Sequence, residues 1–139
     1  MIYTRLIPIE FNHCDPAGIV FYPRYFEMTN SVVENFFADV AGRSFAAMSS
    51  AAPINGVPTV RIAAEFVAPS RLGDKVLFSL RISQLGSRSA AFELEAAADG
   101  ERRMRATITL VWTAGHRSAP WPDEVRARMA AYKEAQDAA

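Results

Sequence analysis

The chain has 139 residues, which suits one domain over residues 1–139 and leaves no room for two independent cores. Half of the residues are hydrophobic, and Lys plus Arg balances Asp plus Glu at 15 each. That balance excludes the cationic excess a phosphate backbone demands, so no nucleic-acid partner is expected. One cysteine, Cys14, excludes an internal disulfide framework, and two histidines leave little for a metal site, so none is expected. No apolar run reaches membrane-spanning length and Met1–Arg5 carries no signal-peptide pattern, so a cytoplasmic protein without a membrane partner is expected.

In chain order, Ile2–Phe11 reads as a strand that Pro8 places at a sheet edge or ends early. From Pro23 to Ala41 apolar residues recur at Tyr22, Tyr25, Phe26, Val32, Val33, Phe36, Phe37 and Val40, with Glu27, Glu34 and Asp39 among the polar positions between them. This is a 3.6-residue period, with Pro23 suited to the first helical position and Gly42 to a left-handed stop. Four period-2 segments follow. Val60, Ile62, Ala64 and Phe66 alternate with polar residues in Thr59–Ala68, and Val76, Phe78, Leu80 and Ile82 repeat the pattern. Phe92, Leu94 and Ala96 continue it, and Met104, Ala106, Ile108, Leu110 and Trp112 complete it. Such alternation predicts an antiparallel sheet with one apolar face. Gly73-Asp74, Gly86-Ser87 and Asp99-Gly100 supply turn residues tolerant of positive φ. Trp121–Gln136, with Pro122, Asp123 and Glu124 in its first turn, predicts a terminal helix with Val125, Met129 and Tyr132 inward. One long helix before consecutive strands excludes a doubly wound fold. The expected class is α+β, a long helix wrapped by a curved antiparallel sheet of about five strands, plus a C-terminal helix.

The sequence has no Gly-x-Ser-x-Gly elbow, no phosphate-binding glycine loop and no Cys-x-x-Cys pair. What stands out is Asn12–Pro23, which joins the first strand to the apolar helix. Asp15 lies at the strand's exit, Gly18 allows a tight loop, and the helix start near Tyr22 offers unpaired backbone N–H groups and the positive dipole end. A carboxylate beside amide donors is the minimum for hydrolysing an activated ester: the donors stabilise the oxyanion, and the carboxylate attacks or activates water. The same residues fit a plain Asx-turn or a helix cap, and the sequence leaves both open. Cys14 reads as a small buried hydrophobe, and Trp112 and Trp121 as core residues.

The run Cys14-Asp15-Pro16-Ala17-Gly18-Ile19-Val20, then Tyr22-Pro23 and Tyr25, resembles the opening of the 4-hydroxybenzoyl-CoA thioesterase family, within the hotdog-fold acyl-CoA thioesterases. The likeness continues through Gly56-x-Pro58 to Ser70 and thins beyond it. The resemblance implies the hotdog fold, an acyl-CoA substrate, no cofactor, and a homodimer or homotetramer with sites between subunits. By position, Asp15 matches the catalytic aspartate and the Tyr22 backbone N–H the donor that polarises the thioester carbonyl. Phe45 falls on an aromatic lining the acyl pocket, Val57-Pro58-Thr59 on a substrate-contacting segment, and Arg88 on a basic position that meets CoA phosphates. His13 and Asn30 replace acidic residues, and Gly86 and Ser87 replace two arginines beside Arg88. The first pair alters polarity around the acyl group; the second thins the phosphate clamp. The expected activity is hydrolysis of an aromatic acyl-CoA, with a short-chain aliphatic acyl-CoA thioesterase or a non-catalytic acyl-binding protein as the alternatives.

Overall fold

The structure is a computed structural model and describes residues 1–138. In chain order the elements are β1 (Tyr3–Pro8), α1 (Arg24–Phe36), α2 (Phe45–Ser50), β2 (Asn55–Gly56) and β3 (Thr59–Phe66). They continue with β4 (Lys75–Leu85), β5 (Ser89–Ala98), β6 (Glu101–Val111), β7 (Thr113–Ala114), β8 (Arg117–Ser118) and α3 (Asp123–Ala138). Five strands form an antiparallel sheet in the order β1-β4-β5-β6-β3, and β2, β7 and β8 form a small second sheet. The long helix lies against an antiparallel sheet, as the period-2 segments and the helical period predict, and the arrangement is the hotdog fold that the resemblance implies.

The core lies where the two periodicities meet. Phe36 of α1, Phe78 and Leu80 of β4, Phe92 and Leu94 of β5, and Leu110 of β6 are each no more than 2 % exposed. Each such side chain contributes about 1.5–3 kcal/mol by leaving water. α3 packs Val125, Met129, Tyr132 and Gln136 inward. It also completes the backbone of β4 beyond the end of β1. The Gln136 amide donates to the Ile82 carbonyl (2.6 Å) and accepts from the Ile82 N–H (2.9 Å), while the Tyr132 hydroxyl donates to the Leu80 carbonyl. β1 pairs only with β4 and ends at Pro8, as the proline predicts for an edge.

Four expectations change. Pro23 is the residue before the helix rather than its first residue, and from Phe37 to Ala41 the helix continues as a π-turn, capped by Gly42 at φ 80°. Adjacent Phe36 and Phe37 are both fully buried, which a single 3.6-residue stripe does not describe. The Gly86-Ser87 turn closes without a positive φ, through Gly86 N–H to the Ser89 carbonyl at 2.9 Å, unlike Gly73 and Asp99-Gly100. The largest difference is β3, which ends at Phe66. Its register with β6 slips between Thr59 and Arg61, so Val60 is the extra residue of a bulge. Thr59, opposite Leu110, therefore takes the helix-facing side with Ile62, and Val60 turns away. Val60 is 60 % exposed, and because among the described residues no strand lies beyond β3, Ile62 and Phe66 remain 42 % and 45 % exposed.

Candidate active site

The segment from Cys14 to Val20 is a tight hairpin because its backbone closes on itself. Cys14 bridges Val20, the Asp15 N–H donates to the Ile19 carbonyl (3.0 Å), and the Gly18 N–H donates to the Asp15 carbonyl (2.9 Å). Gly18 sits at φ 79°, which only a residue without a β-carbon adopts readily. The half-buried Asp15 side chain accepts from the Ala17 N–H through Oδ1 at 2.9 Å. That is the Asx-turn the sequence allows. It occupies one carboxylate oxygen, and among the described residues no donor engages Oδ2. The turn therefore orients the carboxylate rather than consuming it.

The hairpin returns the chain to the start of α1, where the Phe21 N–H donates to the His13 carbonyl at 2.9 Å. Arg24, Tyr25 and Phe26 each donate to a carbonyl three residues back, at 2.9–3.1 Å. Pro23 has no N–H, so the open amide at the helix start is that of Tyr22, for which the described residues offer no acceptor. Asp15 and the Tyr22 N–H thus share one end of the helix. His13 takes no part in a Cys–His pair: its Nδ1 accepts from the Glu10 N–H at 2.8 Å, while the Cys14 thiol points to the Glu10 carbonyl at 3.7 Å. Among the described residues no three His, Cys, Asp or Glu side chains converge to hold a metal ion.

The other expected residues gather at the opposite end. Phe45, Val57, Pro58 and Thr59 line a cavity of about 230 Å³, together with Asn30 and Asn55. A second hollow of about 420 Å³ runs along α1 past Phe26, Glu27, Val33 and Ile62, sharing Asn30 and Thr59 with the first. Glu27 is held by Arg24 at 3.1 Å on its rim. Arg88 lies in the β4–β5 turn beside the small sheet and donates to the Ser118 carbonyl (3.1 Å) and hydroxyl (3.3 Å). Tyr22 packs edge-on against Phe66, 5.8 Å between ring centres, at the far end of β3 from Thr59. Eight residues of strand separate those ends by roughly 23 Å at 3.3 Å per residue. Within one protomer, then, the structure brings Asp15 to Tyr22, and Phe45 to Val57, Pro58 and Thr59, but not the first pair to the second group.

Two contributors carry little sequence signal. Asn55 lies in the cavity wall, and Arg43 donates to its Oδ1 at 3.3 Å. Arginine only donates, so the amide oxygen is fixed toward it and the Asn55 NH₂ is the group left for the cavity. Neither belongs to a motif, and only the loop geometry joins them.

The sequence profile of the thioesterase-like superfamily matches residues 9–129, most of the chain. A 1,4-dihydroxy-2-naphthoyl-CoA thioesterase from Synechocystis superposes with a TM-score of 0.84 at 21 % identity, over 94 % of this chain and 96 % of that one. A 4-hydroxybenzoyl-CoA thioesterase variant complexed with 4-hydroxybenzoyl-CoA matches with 0.84 at 22 %, over 92 % and 98 %. A Staphylococcus aureus protein in complex with CoA matches with 0.89 at 16 %, over 96 % and 85 %. A search of curated protein sequences finds no match. The chain belongs to the thioesterase-like superfamily, and its reaction class is thioester hydrolysis.

Proposed function

We propose that this member of the thioesterase-like superfamily hydrolyses an aromatic acyl-CoA to the free acid and CoA, with Asp15 as nucleophile or general base. The observation that carries the reading is the pairing of an oriented, half-buried carboxylate with the open Tyr22 N–H at one helix start. The thioester oxygen accepts from that N–H, where the helix's positive end favours the negative charge that develops on it. Asp15 Oδ2, or a water it deprotonates, attacks the carbonyl carbon, and the C–S bond breaks to release CoA as the thiolate. An anhydride with Asp15 forms in the first case and is then cleaved by water; in the second the acid forms directly.

The acyl group occupies the hollows beside Phe45 and Asn30. Their aromatic and aliphatic walls suit a ring, and the Asn55 NH₂ offers a donor to a ring substituent. The solved thioesterases named for 4-hydroxybenzoyl-CoA and dihydroxynaphthoyl-CoA support this choice. Arg88 contacts the CoA phosphates by exchanging its Ser118 partners for them.

The site is completed by a second copy. β3 presents an open edge with apolar Val60, Ile62 and Phe66 exposed, an arrangement that pairing relieves. Two copies of β3 paired antiparallel about a two-fold axis set the Thr59 end of one against the Phe66 end of the other. Each Phe45 cavity then lies beside its partner's Asp15 and Tyr22, which joins the two groups that one protomer keeps apart. A homodimer is the minimum, and two dimers give a tetramer.

Thiol release from benzoyl-, hydroxybenzoyl-, phenylacetyl- and short aliphatic acyl-CoA tests the substrate. Fastest turnover of an aromatic thioester, abolished in Asp15→Asn, is expected. Preference for short aliphatic thioesters would replace the aromatic assignment, and no hydrolysis of any thioester would favour an acyl-binding protein. A monomer by sedimentation at micromolar concentration would remove the shared site.

A further inference from the structure

Arg103 lies in β6 at only 6 % exposure, and a buried guanidinium loses far more hydration than an apolar residue of equal size would. Its partners show what it holds. Nη1 donates to Asp74 Oδ2 at 2.7 Å, to the Pro69 carbonyl at 3.2 Å and to the Ser70 hydroxyl at 3.3 Å. Nη2 donates to the Ala98 carbonyl at 3.4 Å, and Glu101 Oε1 stands 2.8 Å from Nε without aligning as a hydrogen bond. Most of this grip falls on the connection between β3 and β4.

That connection carries both halves of the proposed site. The Ser70 carbonyl accepts from the Val20 N–H at 2.8 Å, and the Leu72 N–H donates to the Gly18 carbonyl at 3.2 Å, so the Asp15 hairpin rests on it. The fully buried Ser70 hydroxyl accepts from the Tyr25 hydroxyl at 2.7 Å, and Tyr25 is in the first turn of α1, its N–H on the Tyr22 carbonyl at 3.1 Å. One residue therefore holds the loop with its carbonyl and the helix with its hydroxyl. None of Arg103, Ser70 or Tyr25 lines the acyl hollows.

We infer that the buried chain Arg103–Ser70–Tyr25 is a positioning device that sets the distance between the Asp15 carboxylate and the Tyr22 N–H. The inference rests on the catalytic reading of Asp15 given above. A misplacement of about 1 Å between reacting groups costs up to about 10²-fold in rate, so a rigid polar anchor has a use here that apolar packing does not supply.

Tyr25→Phe removes one oxygen from the chain and keeps the ring in the core, so it spares the fold where an Arg103 deletion would leave Asp74 without its guanidinium partner. The kinetics of Tyr25→Phe, Ser70→Ala and the double variant are measured on the fastest acyl-CoA, with Asp15→Asn alongside. Tyr25→Phe should lower kcat roughly tenfold with KM within about twofold. The double variant should be no slower than Ser70→Ala alone, because both act along one path. A wild-type kcat in Tyr25→Phe, or losses that multiply in the double variant, would overturn the inference. If Asp15→Asn is dead while Tyr25→Phe is unimpaired, only the positioning role falls. If Asp15→Asn turns over normally, the catalytic reading falls, and with it any role in positioning Asp15.

Discussion

The principal buried contacts at the two ends of the sheet differ in kind. At the Asp15 end, the hairpin, the helix start and the β3–β4 connection meet through hydrogen bonds gathered on Ser70 and the Arg103–Asp74 ion pair. At the Phe45 end, aromatic packing does the same task. Phe37 stacks on Trp121 at 6.1 Å, Trp121 meets Trp112 at 5.6 Å, Phe45 meets Phe37 at 6.2 Å, and Arg43 lies over Trp112 at 6.0 Å. Hydrogen bonds fix direction and distance, which attack on a carbonyl demands; ring packing fixes shape, which suits a cavity that admits an acyl group. Chemistry and selection of the acyl group thus rest on separable parts of one chain.

The sharpest break in that comparison is Asp15→Asn. The amide keeps the Asx-turn through its oxygen and removes the charge, so kcat should fall by about 10²–10⁴ while KM and the thermal midpoint hardly move, as steady-state kinetics and calorimetry would show. Cys14→Ala, one residue away, should keep wild-type turnover. At the other end the cost should appear in stability. Trp121→Ala empties a site only 3 % exposed and removes the indole N–H bond to the Ser89 carbonyl at 3.1 Å, leaving that carbonyl only its Gly86 N–H. A loss of about 3–5 kcal/mol in denaturant unfolding is expected, with kcat of the folded fraction retained.

Acid should loosen the ends in sequence. The Arg71 N–H and then the Arg103 guanidinium hold the Asp74 carboxyl below its ordinary value of 3.8. A depressed folded-state value means that this stabilisation is complete above that pH and is lost as pH falls below it. Hydrogen exchange in acid should therefore show protection lost at Val20 and Leu72 before Trp112 and Trp121. Equal loss at both ends would contradict that difference in kind. The smallest effect belongs to Arg88→Ala, which should raise KM a few-fold, about two to five, with little change in kcat, a penalty that shrinks at high salt. An unchanged KM would leave Arg88 as a tie to Ser118 and no more.

Much of this was legible in the chain because periodicity reports faces. Val76 through Ile82, Phe92 through Ala96 and Met104 through Leu110 bury on the alternation they display. The same pattern in β3 leads to exposure, since alternation says which residues share a face and not what covers it. The bulge at Val60 is set by pairing with β6, a contact about fifty residues away in sequence, and it moves Thr59 onto the cavity side. Asp15 and Tyr22 could be joined from the sequence because one short hairpin connects them. Arg103, Ser70 and Tyr25 could not, because a buried arginine looks like any surface arginine until its carboxylate and carbonyl partners are in place.

The two borders of the sheet also differ, and the difference limits how far copies of the chain can add to one another. The β1 border is short and ends at Pro8, the Tyr3 N–H is taken by the Tyr132 hydroxyl at 2.8 Å, and Gln136 and Arg126 occupy the backbone of β4 beyond Tyr3, where β1 has not yet begun. The β3 border has eight residues without proline or lysine and is open. A sheet that can be extended on one side only closes after a single pairing, whereas one open on both sides propagates as a ladder. α3 therefore works as an insulating strip as well as a piece of the core. A chain cut before Asp123 would expose the second border and should trade discrete particles for fibrous aggregate.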